Sequence, residues 1–110
     1  MINIIPTNHF KRQFKTLAKK YRSLKAEMAI LGASLMENPN QGIALARGAF
    51  KIRLAIASKN KGKSGGARVI TCLRMDPDTI YLVDIYDKSE QDDISDKEFN
   101  ALLDEIDAEH

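Results

Sequence analysis

The sequence predicts an α+β fold: an N-terminal helical hairpin packed on a small antiparallel β-sheet, with a C-terminal helix. Three observations carry this expectation. Apolar residues recur at three-to-four spacing through the first 37 positions, the period falls to two from Phe50, and helical spacing returns after Ser95. At 110 residues the chain has room for one hydrophobic core. Residues 1–110 are therefore expected to form a single domain, with the hairpin at about 7–37, the sheet at about 44–86 and the last helix at about 96–107.

Pro6-Thr7-Asn8 offers a helix start, after which Phe10, Phe14, Leu17, Ala18 and Tyr21 line one face and Lys11, Arg12, Lys15, Lys19 and Lys20 fall elsewhere. Ser23 is placed to cap a second helix striped by Leu24, Met28, Leu31 and Leu35, and Asn38-Pro39 stops it. In the first strand Phe50, Ile52, Leu54 and Ile56 point one way, and Lys51 and Arg53 point the other. That pattern predicts a half-buried strand with a basic open face. A polar, Gly-rich loop from Ser58 to Gly66 leads to a strand at Ala67 to Met75, and Asp76-Pro77-Asp78 turns the chain into a third at Thr79 to Tyr86. An extra edge strand is expected at the start of the chain or around Leu45. Ser95-Asp96-Lys97-Glu98 is a capping box, and Phe99, Leu102, Leu103 and Ile106 give the last helix its apolar stripe. Cys72 falls inside a strand and has no partner for an internal disulfide. His9, beside the first helix start, is expected at the surface or in a cap rather than in catalysis.

Apolar residues make up 44% of the chain and charged residues 29%, as in an ordinary soluble domain. No apolar run reaches the roughly 20 residues of a membrane span. The opening MINIIPTNHFKR has too short an apolar stretch for a signal peptide, so a cytoplasmic location is expected. Charge is sharply divided. Residues 1–75 hold 15 Lys/Arg against Glu27 and Glu37, a net +13, whereas residues 76–110 hold Lys88 and Lys97 against 13 acids, a net −11. A basic body of this kind approaches polyanions at long range, and an acidic tail can screen it or fold over it.

The stretch ASKNKGKS, Ala57 to Ser64, matches a loose phosphate-loop pattern, and Ile80 to Asp84 imitates a magnesium-holding strand. A phosphate loop works because a helix begins at its Gly-Lys-Ser and aims backbone N–H groups at the phosphates. Here Gly65, Gly66 and the β-branched run Ala67 to Thr71 follow, so the loop opens into a strand and a nucleotide-hydrolysing function is set aside. The basic residues point to a different ligand. Lys51 and Arg53 are two apart on one strand, and Arg68 heads the neighbouring strand. If the three converge, they make a pocket for a phosphodiester, with Lys59, Lys61 and Lys63 gripping flanking phosphates and Arg74 a further RNA contact. The alternative is that Asp84 pairs with Arg53 or Arg68 in a structural ion pair.

These residues carry a resemblance. Phe50-Lys51-Ile52-Arg53-Leu54, a glycine-rich loop, Gly66-Ala67-Arg68-Val69-Ile70, an apolar strand and Tyr86-Asp87-Lys88-Ser89-Glu90 resemble the RelE/ParE superfamily of bacterial type II toxins. The GKSGGARVI stretch is most similar to its HigB-like members. The resemblance spans nearly the whole chain and implies an mRNA interferase, a ribosome-dependent endoribonuclease that cuts mRNA in the decoding site and is silenced by a cognate antitoxin. It also implies catalytic roles for Lys51, Arg53 and Arg68. Several RNA-cleaving relatives have an arginine after the Lys88 position and a tyrosine or histidine in the C-terminal segment, where this chain has Ser89 and Gln91-Asp92-Asp93-Ile94-Ser95. Tyr86 and Lys88 are the available substitutes. Alternatives are a ParE-like inhibitor of DNA gyrase and a non-catalytic RNA-binding module.

RNA brings its own nucleophile, the 2′-hydroxyl, so cleavage needs orientation, charge stabilisation and proton transfer. Arg53 and Arg68 are expected to stabilise the phosphorane, and Tyr86 or Lys88 to donate a proton. Lys51 serves as base only if nearby cations depress its pKa. No cofactor is expected. With two histidines, one of them terminal, no His/Asp/Glu metal cluster is expected either.

Overall fold

The computed structural model describes residues 2–59 and 65–110. Its elements are β1 (Asn3–Pro6), α1 (Asn8–Lys20), α2 (Leu24–Glu37), β2 (Ile43–Ala44), β3 (Ala49–Leu54), β4 (Ala67–Arg74), β5 (Thr79–Asp87) and α3 (Asp96–Glu109). The fold is α+β, as expected, and both suggested edge strands form. The sheet runs β1-β5-β4-β3-β2. β1 pairs parallel to β5 while the other pairings among the described residues are antiparallel, so the sheet is mixed rather than purely antiparallel. Parallel pairing between the two ends of a chain leaves no turn signal in the sequence.

Thr7 fastens the hairpin to the sheet. Its hydroxyl accepts from the backbone N–H of Phe10 at 3.1 Å, capping α1, and donates to the carbonyl of Leu82 on β5 at 3.1 Å. Phe10 and Leu17 of α1 and Leu24, Met28, Leu31 and Leu35 of α2 then pack on Ile52, Val69, Ile80, Leu82 and Ile85 from one sheet face. Ser23 stands at the start of α2 without capping it; its hydroxyl donates to Glu27 and bonds Ser58. That ties the hairpin to the loop after β3 instead. Ser95 does cap α3, accepting from the Glu98 N–H at 3.1 Å.

The opposite sheet face is not open throughout. Phe99, Leu103 and Ile106 of α3 bury Ala49, Ile70, Cys72, Val83 and Tyr86 in a second core. A bulge between Ile70 and Thr71 leaves Val83 as the extra residue of β5 and sends it into this cluster. The expectation of a basic open face is thus corrected: α3 covers the end of the sheet near Ala49 and Cys72, while at the other end Arg53 is exposed and Arg68 is buried. Cys72 is fully buried, and burial pushes its thiol up to about 11. Among the described residues no helix is long and apolar enough to cross a membrane.

Candidate nucleic-acid interface

Strand alternation puts Lys51 and Arg53 on one face of β3. Arg53 lies directly across from Arg68 on β4, and Arg68 directly across from Tyr86 on β5. The three expected residues therefore form a transverse row, with Lys88 just beyond the end of β5. Gly42 helps to set the row: at φ +96° it takes a conformation that disfavours a side chain, and a Cβ there would strike the Lys51 carbonyl. A cavity of about 230 Å³ opens above the row, lined by Lys51, Arg53, Arg68, Lys88, Asp92 and Asp93. A wider groove of about 810 Å³ begins at Lys51 and Arg53 and runs between β3 and α2, past the exposed Ile30 and Ile43.

The guanidinium of Arg68 is buried on the floor and donates to its neighbour's carbonyl, Ala67 O, at 3.2 Å. Lys51 Nζ donates to Asp93 Oδ1 at 3.0 Å, and Tyr86 Oη donates to the same oxygen at 3.3 Å. Burial first, and the adjacent Asp93 charge second, push the Tyr86 phenol up to about 12. Tyr86 is accordingly a protonated donor at neutral pH. Asp93 moves the other way. Burial opposes its ionisation, but the hydrogen bonds from Lys51 and from the Ile94 N–H outweigh that and hold its carboxyl below the usual range.

Of the residues expected to bind RNA, Lys59 is turned inward. Its ammonium sits against the buried carboxylate of Asp87, donates to Ser89 and Gly65 O, and lies 5.3 Å from the Tyr21 ring centroid. Lys61 and Lys63 lie outside the described residues. Arg74 is held by Asp107 of α3 and by the carbonyl of Arg47, away from the cavity. Neither Lys59 nor Arg74 presents a cation to the pocket, because each has an internal carboxylate within reach. Asp84 has His9 as a partner, at 2.9 Å.

Asp92 and Asp93, which line the same cavity, were not foreseen as pocket residues. The loop that holds them has neither apolar period nor motif, and the only signal was the acidic excess of the C-terminal third. The fold also corrects the expectation about metal-ligating groups: His9, Asp84 and Glu98 each bring one candidate ligand atom within 4.8 Å of the others. They come from α1, β5 and α3, so no sequence spacing announced them. Asp84 is 1% exposed, and burial raises its carboxyl while His9 opposes the rise. The short His9 contact and one from the Ile85 N–H satisfy this buried carboxylate.

The arrangement is a small cationic cleft with a neutral phenol donor at its side. A family model described as RelE toxin of the RelE/RelB toxin-antitoxin system matches residues 9–107. The chain belongs to the RelE toxin family. The match takes in the helical hairpin, the cationic row and nearly all of α3. It supports the role of a toxin for this protein, in a family whose members are paired with antitoxins.

Proposed function

We propose that this RelE family toxin is an endoribonuclease that cleaves mRNA on the ribosome, using Lys51 together with the row Arg53, Arg68 and Tyr86. One observation carries the reading: three cations from two strands meet at one cavity beside a phenol that stays protonated at neutral pH. A phosphodiester needs such an arrangement for in-line attack by its own 2′-hydroxyl. The 2′-oxygen bonds to phosphorus as its proton passes to solvent. Arg53 and Arg68 hold the developing equatorial charge, and Tyr86 protonates the departing 5′-oxygen. The products are a 2′,3′-cyclic phosphate and a 5′-hydroxyl. Lys51 serves as a cation, since its ammonium already donates to a carboxylate. The residues supply orientation and charge rather than a strong base, which fits an enzyme whose substrate is positioned by the ribosome.

The test is the double variant Arg53→Ala/Arg68→Ala, expressed at the level of the wild type. Arg53 is exposed but Arg68 is buried, so circular dichroism must first show the double variant folded, and Arg53→Ala alone, expected to weaken cleavage, guards against a folding defect. Growth arrest and mRNA cleavage in translating extract are expected to disappear. A folded double variant that still arrests growth would refute the site. Intact mRNA accompanied by loss of plasmid supercoiling would point instead to gyrase.

A further inference from the structure

The cationic row already has an anion on it. Asp93 Oδ1 accepts from Lys51 Nζ at 3.0 Å, from Tyr86 Oη at 3.3 Å and from the Ile94 N–H at 2.8 Å. Asp92 receives Lys88 Nζ at 3.1 Å on its carboxylate and at 3.1 Å on its backbone carbonyl. Lys51 and Lys88 are thus bound by carboxylates from the cavity's own wall. The phenol assigned to proton donation is bound as well. One carboxylate oxygen that gathers a lysine, a tyrosine hydroxyl and a backbone N–H has the donor set of a non-bridging phosphate oxygen. The Gln91 side chain, donating to the Asp93 carbonyl at 3.0 Å, holds the loop in this shape.

We propose that the loop carrying Asp92 and Asp93 is an internal phosphate mimic that RNA must displace, so that the free toxin is self-restrained at its own cleft. The inference rests on the RNA-cleaving reading of the cavity and specifies how that site is regulated. Its strength is graded rather than absolute. The Asp92 side chain is 98% exposed and that of Asp93 57% exposed. Ion pairs so close to solvent hold weakly. The mimic therefore acts as a weak competitor that an RNA phosphate can displace. The acidic excess that follows the last strand gains a local purpose in the same way, because it returns charge to the face where cations are concentrated.

The competition leaves a signature in salt dependence. When RNA binds a free lysine, its phosphate gives up condensed counterions. When the lysine must first leave an aspartate, the freed carboxylate takes cations back, and the net release is smaller. Asp92→Asn/Asp93→Asn removes that cost. The experiment measures binding of a fluorescein-labelled single-stranded RNA, made uncleavable by 2′-deoxy substitution, to the full-length chain by anisotropy across a salt series. The double variant is expected to bind several-fold more tightly at low salt, with a log K against log salt slope steeper by up to about 1.4, or roughly 0.7 for each of two released lysines. Asp92→Asn alone, at the more exposed position, is expected to give part of the change and protects the result against a folding defect. Equal affinity and slope for variant and wild type, with binding still lost in Arg53→Ala/Arg68→Ala, would overturn the mimic and leave the site intact. Weaker binding by the variant would also overturn it, by making the aspartates helpers. Binding indifferent to the arginine substitutions would overturn both the mimic and the site on which it rests.

Discussion

Asp87 shows how a cation expected at the RNA surface was drawn into the fold. Its carboxylate is buried and takes hydrogen bonds from Lys59, Tyr21 and Ser89. Burial opposes its charge, but those partners prevail and hold its carboxyl well below the usual range. A depressed folded pKa stabilises above the unfolded value of about 3.9, and the contribution is lost as pH falls below it toward the folded value. Asp87→Asn is expected to cost about 3–5 kcal/mol by stranding the Lys59 ammonium. Urea unfolding followed from pH 5 downward should show a steep acid loss in the wild type and a shallower one in the variant; parallel curves would contradict the pairing. Tyr86→Phe is the corresponding test of chemistry. Its loss is expected to slow cleavage about 10²- to 10⁴-fold with little change in unfolding midpoint. The inward turn of Lys59 was not legible because composition reports a lysine without its partner. Lys51, Arg53 and Arg68 were legible because strand period fixes a face before any register is known.

At the level of elements, the hairpin, the three long strands and α3 followed from periodicity and capping, within a residue or two of their observed limits. β1 could be suggested but not paired, since its parallel neighbour lies some 75 positions along the chain. Nor did the pattern say where α3 would rest. The stripe of Phe99, Leu103 and Ile106 requires an apolar surface, and β3 to β5 offer two. The hairpin takes one and α3 takes the other, which confines the cationic cleft to the uncovered end of that face. Leu103 is fully buried in this second core, so Leu103→Ala is expected to lower stability by about 2–5 kcal/mol in denaturant titration. An unchanged midpoint would mean that α3 does not close the sheet in solution.

Across the whole molecule, the opposed charges of the two chain segments are folded onto each other rather than held apart. Arg47 meets Asp104 at 2.9 Å and Asp107 at 3.0 Å, Lys20 meets Glu90, and the cleft meets Asp92 and Asp93. An antitoxin that silences the site by covering it would compete for the same cations with an acidic or amphipathic segment. Hydrogen exchange on the toxin-antitoxin pair should then show protection at residues 51–53 and 65–68. Protection restricted to α1 and α2 would mean inhibition from a distance. Cleavage of translated mRNA by Lys51, Arg53, Arg68 and Tyr86 is open to primer extension on cellular transcripts after brief expression of the toxin. New 5′ ends are expected within translated reading frames, absent from untranslated RNA and absent with Arg53→Ala/Arg68→Ala. Full-length transcripts in cells that nevertheless stop growing would contradict such cleavage.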